Sequence, residues 1–135
     1  MSVFLTPYIA FDGNAREALD FYHDVFGGEL ASNTFGEFGQ AGTPIENQIM
    51  HGQIDAAEGF KLMASDTPPG MDRHPGRTVT LTLHGDDEAT MRGYWDRLVE
   101  GGTVDVPLDK QMWGDLYGQL QDKYGIVWMF NIAAS

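Results

Sequence analysis

Four histidines, no cysteine and no close cluster of ligating side chains set the chemistry open to this chain of 135 residues. Without cysteine there is no disulfide framework and no thiolate metal site. His23, His51, His74 and His84 are scattered, with no short-spaced pair of the kind that grips a metal. His51 differs in placement. Alternation along its strand sets it on the face turned from the helices, where an imidazole serves as general base or hydrogen-bond partner. The other three fall on a helix edge or in turn segments and read as solvated. No serine stands on the strained elbow of a Ser/His/Asp hydrolase. Residues 36–42 are glycine-rich but lack a following helix and a Gly-Lys-Ser/Thr ending, so they form no phosphate loop. Asp86, Asp87 and Glu88 open a helix, where carboxylates suit the dipole and need no substrate.

These side chains are carried by an element pattern that occurs twice. Residues 3–11 read as a strand, and Asn14 with Glu17 three residues on caps a helix over 15–26. Ala18, Leu19, Tyr22, Val25 and Phe26 share its apolar face, and Gly27-Gly28 stops it. Strand candidates follow at 30–38, 49–56 and 60–65. Residues 66–77 carry Pro68-Pro69-Gly70 and Pro75-Gly76 and read as a linker. The order then recurs: a strand at 78–83, a turn at His84-Gly85-Asp86, a helix with Met91, Tyr94, Trp95, Leu98 and Val99 on one face, a Gly101-Gly102 stop, and strands at 104–106, 116–121 and 126–132. The letters repeat as well as the pattern. Residues 51–65 align without a gap to 117–131, with Gly52/Gly118, Gln53/Gln119, Gly59/Gly125 and Met63/Met129 identical. Upstream, Ile9-Ala10-Phe11-Asp12-Gly13 matches Leu81-Thr82-Leu83-His84-Gly85. The fold class is α+β, built of tandem βαβββ modules. Module 1 covers about 1–66, the linker about 67–77 and module 2 about 78–135 of a single domain.

A tandem chain of this kind resembles the vicinal oxygen chelate superfamily, which includes glyoxalase I, extradiol dioxygenases and bleomycin-resistance proteins. The words Pro7-Tyr8-Ile9-Ala10-Phe11-Asp12-Gly13-Asn14-Ala15, Met63-Ala64-Ser65-Asp66 and Asp122-Lys123-Tyr124-Gly125-Ile126-Val127-Trp128-Met129 are similar to its PhnB-like branch. The resemblance covers essentially the whole chain. It implies a curved mixed sheet around a ligand cup, with helices outside. Function transfers less directly, because the superfamily holds lyases, isomerases, oxygenases and pure binders. Some PhnB-like proteins are named demethylubiquinone methyltransferases, yet no glycine-rich nucleotide loop follows a strand here.

Strand parity then selects the cup residues. Val79, Leu81 and Leu83 turn to a helix, as do Pro7, Ile9 and Phe11, so Thr78, Thr80, Thr6 and Tyr8 face the cup. Trp128, Phe130 and Ile132 turn outward, leaving Met129 and Asn131 inside; by the repeat, Met63 and Ser65 do the same. His51, Gln53, Tyr117 and Gln119 also point in, and carboxylates stay out. Trp113 lies at a loop over the mouth. The superfamily's metalloenzymes hold their ion with His or Gln on the first and fifth strands and Glu on the fourth and eighth. Here those positions fall on Thr6, Thr78, Met63 and Met129, which are poor ligands for such cations. The expectation is no metal, no cofactor and no glyoxalase I chemistry.

Charge excludes other classes. Asp plus Glu number 20 against 8 Lys plus Arg, a net charge of −12, which repels phosphate backbones and anionic lipid. No apolar run approaches the ~20 residues of a membrane span, and the first residues lack a signal-peptide pattern. The chain reads as a cytoplasmic homodimer, since exposed strand edges give a reason to pair. Its expected role is to hold a small molecule between His51/Gln53 and Tyr117/Gln119, methionines beneath. The alternatives are an isomerase or lyase using His51 for proton transfer, and a drug-sequestering binder.

Overall fold

The computed structural model describes residues 4–70 and 79–134. In chain order the elements are β1 (Tyr8–Phe11), α1 (Ala15–Phe26), β2 (Glu29–Thr34), β3 (Ile49–Asp55), β4 (Lys61–Asp66), β5 (Leu81–Gly85), α2 (Glu88–Leu98), β6 (Thr103–Lys110), β7 (Leu116–Gln121) and β8 (Val127–Ile132). They form two four-stranded mixed sheets of α+β type, ordered β1-β4-β3-β2 and β5-β8-β7-β6. In each, the first two strands named run parallel and the remaining neighbours antiparallel. The chain divides into two compact units, Met1–His74 and Pro75–Ser135. Among the described residues no helix is long and apolar enough to cross a membrane.

Each sheet buries one face under its own helix. In the first unit Leu19 and Tyr22 of α1 are buried with Phe11, Ile54, Leu62 and Ala64 of the strands. In the second, Trp95 and Leu98 of α2 are buried with Leu120, Trp128 and Phe130, and the Trp95 and Phe130 rings meet edge to face at 5.2 Å. The repeated glycines belong to this packing. A Cβ on Gly52 would run into the end of Leu19, and one on Gly118 would come within 2.8 Å of the Trp95 ring. Gly59 and Gly125 instead turn the β3–β4 and β7–β8 hairpins at φ 98° and 86°, a conformation that side chains disfavour.

Several boundaries differ from the sequence reading, each for a local reason. The first strand begins at Tyr8, because Pro7 has no N–H to give a ladder, although its carbonyl still accepts from Met63; Val3, the expected start, lies outside the described residues. The 30–38 strand stops at Thr34. A short 3-10 turn over Gly36–Phe38 follows, with Gly36 N donating to the Glu46 carbonyl and the preceding Phe35 N to the Gln48 carbonyl. β5 starts at Leu81, and Val79, expected under a helix, is 77% exposed. β6 runs over Thr103–Lys110 instead of 104–106; two register shifts and an edge-strand proline hide its alternation. Asn14 occupies the N-cap of α1 but makes no side-chain capping bond. That bond comes from Asp66, read from sequence as the start of the linker and found as the last residue of β4. Thr67 is also tied down, donating from its backbone and hydroxyl to the Phe11 carbonyl. Residues 71–77 of the expected linker, with His74, lie outside the described residues, as does Thr78.

The two hairpins keep one register: Gly52 pairs with Ala64 and Gln53 with Met63, as Gly118 pairs with Phe130 and Gln119 with Met129. The parallel strands do not. Tyr8 sits beside Met63, whereas Thr82 sits beside Met129. Matching the hairpins therefore sets Tyr8 against Thr82, two residues from the letter-based match. Thr6 then corresponds to Thr80 and not to Thr78. Because the slip is even, every side chain keeps its face.

Candidate functional site

On the first sheet, the face away from α1 carries a row of neighbours, Tyr8, Met63, Gln53 and Ala31, one from each strand. Beside it lie Ala10 with Ser65, and His51 with Asn33. Tyr8 is 53% exposed, and its hydroxyl lies 3.3 Å from His51 Nδ1, with ring centroids 5.8 Å apart. The pair works in either tautomer: the phenol donates to a bare Nδ1, or a protonated Nδ1 donates to the phenol oxygen. Gln53 Nε2 donates to Asp55 Oδ1 at 3.0 Å, and Lys61 Nζ sits 3.4 Å from the same oxygen. Thr6 is half-buried just before β1.

On the second sheet the matching face carries Thr82, Met129, Gln119 and Val106 in one row. A second row holds His84, Asn131, Tyr117 and Asp109. Asn131 Nδ2 donates to Asp115 Oδ2 at 3.0 Å, and Ala134 N donates to Asp115 Oδ1 at 3.1 Å. The Asn131 bond first and the Ala134 bond second hold the Asp115 carboxyl below its ordinary value. Gln119 Nε2 makes a long 3.4 Å bond to Asp105 Oδ2. Thr80 is half-buried ahead of β5, and Trp113, in the turn between β6 and β7, is 63% exposed beside Met112.

Thus Tyr8, His51, Gln53, Met63 and Ser65 share one face in the first unit, and Tyr117, Gln119, Met129 and Asn131 share one in the second. Two expectations are corrected. His84 belongs to β5 on the site face rather than to a turn; it is exposed beside Asn131. Carboxylates do reach these faces: Asp55 and Asp109 lie on them by register, and Asp105 and Asp115 bond their amides. Parity could have found His84, two residues beyond Thr82. It could not find Asp105, which sits in a bulge.

Two further carboxylates are buried away from these faces, Asp66 at 2% and Asp122 at 3% exposure. Asp66 accepts from Ala15 N and Ile49 N at 3.0 and 2.9 Å. Asp122 accepts from Tyr124 N, Ile126 N and Trp128 Nε1. Both are anchors, which explains why they sit inside the motif words. His23, on α1, has its Nε2 at 2.9 Å from the Gly28 carbonyl and locks the helix end.

The residues at the superfamily's metal positions do not fit an ion. Of the residues expected there, Thr6, Met63 and Met129 are neutral and Thr78 lies outside the described residues, whereas divalent cations prefer carboxylate and imidazole. Among the described residues no three of His, Cys, Asp and Glu cluster as a metal set would.

Comparison with known proteins agrees with this architecture. Residues 5–130 match the family described as the Glyoxalase/Bleomycin resistance protein/Dioxygenase superfamily. Protein PA1353 from Pseudomonas aeruginosa is 32% identical, with a TM-score of 0.87 over 99% of this chain and 100% of that one. Protein YjdN of Escherichia coli is 27% identical over 95% of this chain and 94% of its own. A Bacillus cereus structure titled putative 3-demethylubiquinone-9 3-methyltransferase, PhnB protein, is 23% identical, with a TM-score of 0.76 over 96% and 98%, and shares the fold.

Proposed function

This chain belongs to the Glyoxalase/Bleomycin resistance protein/Dioxygenase superfamily, and on that premise we propose that it is a PhnB-like binder of a small polar molecule that uses no family metal. The observation that carries the reading is the Tyr8–His51 hydrogen bond on the helix-free face of the first sheet. The Tyr8 contact fixes the imidazole's orientation, leaving Nε2 as the ring nitrogen that meets a ligand. Gln53 and Ser65 add polar contacts, and Met63 supplies adaptable apolar surface. Lys61 neutralises Asp55, so this face holds an uncharged polar group without a repelling charge nearby. Tyr117, Gln119, Met129 and Asn131 are the counterparts in the second unit. The protein would act in the cytoplasm as a homodimer, its edge strands giving the surfaces to pair.

A thermal-shift screen of neutral metabolite-sized compounds tests this. At least one is expected to raise the melting temperature of the native chain, with the rise lost in His51→Ala and reduced in Tyr8→Phe. If no compound stabilises the native chain, the binder reading fails. Stoichiometric zinc, nickel or iron in protein purified without added metal would remove the metal-free part. A second reading rests on the same contact: a phenol–imidazole pair can take a proton from carbon beside a carbonyl and return it, as in an isomerase. Turnover surviving in His51→Ala would exclude it.

A further inference from the structure

Three of the amide side chains on the site faces share one feature. Each has its NH2 committed to a carboxylate: Gln53 to Asp55, Gln119 to Asp105 and Asn131 to Asp115. A carboxylate only accepts, so the amide end facing it must be the nitrogen, and the choice of flip is settled chemically. The other end of each planar amide, the carbonyl oxygen, has no hydrogen-bond partner among the described residues. These faces are therefore set to receive hydrogen-bond donors.

The units differ in what surrounds those carbonyls. In the first, Lys61 neutralises Asp55. In the second, the residue matching Lys61 is Val127, which carries no charge. There Asn131, Tyr117 and Asp109 stand side by side on β8, β7 and β6. Neighbouring strands lie ~4.8 Å apart, so Asn131 and Asp109 flank Tyr117 at roughly twice that distance from each other, and one small cationic group over the Tyr117 ring lies between a carbonyl and a carboxylate in a single row. Gln119 and Met129 form the adjacent row, a second acceptor beside a flexible apolar surface.

We infer that the helix-free face of the second sheet binds a protonated primary amine carried on an apolar stem. The ammonium sits among the Asn131 carbonyl, the Tyr117 ring and the Asp109 carboxylate, and the stem lies along Met129. This site is separate from the one proposed on the first sheet and does not depend on it. The net charge of −12 raises the local concentration of such cations.

The test is an NMR titration of the full chain with n-butylammonium, 1-butanol and butyrate at constant ionic strength. Expected are saturable shifts of the Asn131 and Gln119 side-chain amides with the ammonium, weaker ones with the alcohol and none with the acid. Asp109→Asn, an exposed and fold-neutral change, should weaken ammonium binding by up to about fivefold. Gln119→Leu, which removes the acceptor in the adjacent row, should weaken it by less. Equal affinity for 1-butanol, an unchanged constant in Asp109→Asn, or no saturable shift would each overturn the inference. Shifts confined to Tyr8 and His51 would place the amine on the first sheet and overturn the assignment, while leaving the first-sheet reading intact.

Discussion

The two units share a hairpin register and the glycines that let a helix sit down on it, yet they secure the start of that helix differently. In the first unit Asp66 reaches from β4 across 51 residues of sequence to the Ala15 N–H, and holds Ile49 N with its other oxygen. In the second the matching residue is Ile132, and α2 is capped locally, Asp87 accepting from the Thr90 N–H and hydroxyl. The contrast separates what a duplicated scaffold must keep from what it can replace. Gly52/Gly118 is a steric requirement of sheet and helix, so it is identical. The helix cap is a hydrogen-bonding requirement, which either a distant or an adjacent carboxylate can meet.

The sharpest way to break the contrast is at Asp66. Asp66→Asn keeps the shape but turns an NH2 toward one of two buried N–H groups, leaving that donor unmatched. A loss of about 2–4 kcal/mol is expected in denaturant unfolding. Asp87→Ala, at an exposed cap, should lower the midpoint by clearly less. If the two changes cost the same, the long-range anchor has no special weight.

A smaller difference is expected between the matched glycines. Gly52→Ala meets the end of one leucine, which can rotate away, whereas Gly118→Ala meets the Trp95 ring and the Leu108 backbone at 2.9 Å. Overpacking costs ~1–3 kcal/mol, so Gly118→Ala should fall at the upper end and Gly52→Ala at the lower. The reverse order would show that α1 is the more rigidly seated helix.

The smallest effect is acid-dependent. Asp115 and Asp87 have carboxyls held below the ordinary 3.8, Asp115 chiefly by Asn131 and Asp87 chiefly by the Thr90 side chain. A depressed folded value means that the stabilisation is complete above the unfolded value and lost as pH falls through the folded one. Neither group should therefore contribute any change between pH 7 and about 5. Below 3.8 the native chain should lose stability more steeply than Asp115→Asn, by unfolding midpoint against pH. Parallel curves would show that the Asn131 contact carries no weight.

The hairpins were legible because strict alternation and a positive-φ glycine are local signals, and residues 116–121 were read to the residue. So were the helix spanning Ala15–Phe26 and the placement of His51, Gln53, Met63 and Met129 on sheet faces turned away from the helices. What escaped depends on partners distant in sequence. Asp66 looks like a linker residue until β4, α1 and β3 come together around it. Asp105 is displaced by a bulge that no period shows, and Pro107 argues against the strand that contains it. His84 escaped for a simpler reason: the sequence reading ends its strand at Leu83, one residue short of the next position on the site face.

The even slip between the parallel strands has an evolutionary consequence. Two residues of strand advance ~6.6–6.8 Å, enough to replace the side chain standing next to Met129 while the core-facing side chains continue to meet the helix. Tyr8 in one unit and Thr82 in the other are two settings of one adjustable strand. Sliding in steps of two would let the ligand face be respecified without redesigning the interior, a route by which one duplicated module can acquire a second chemical preference.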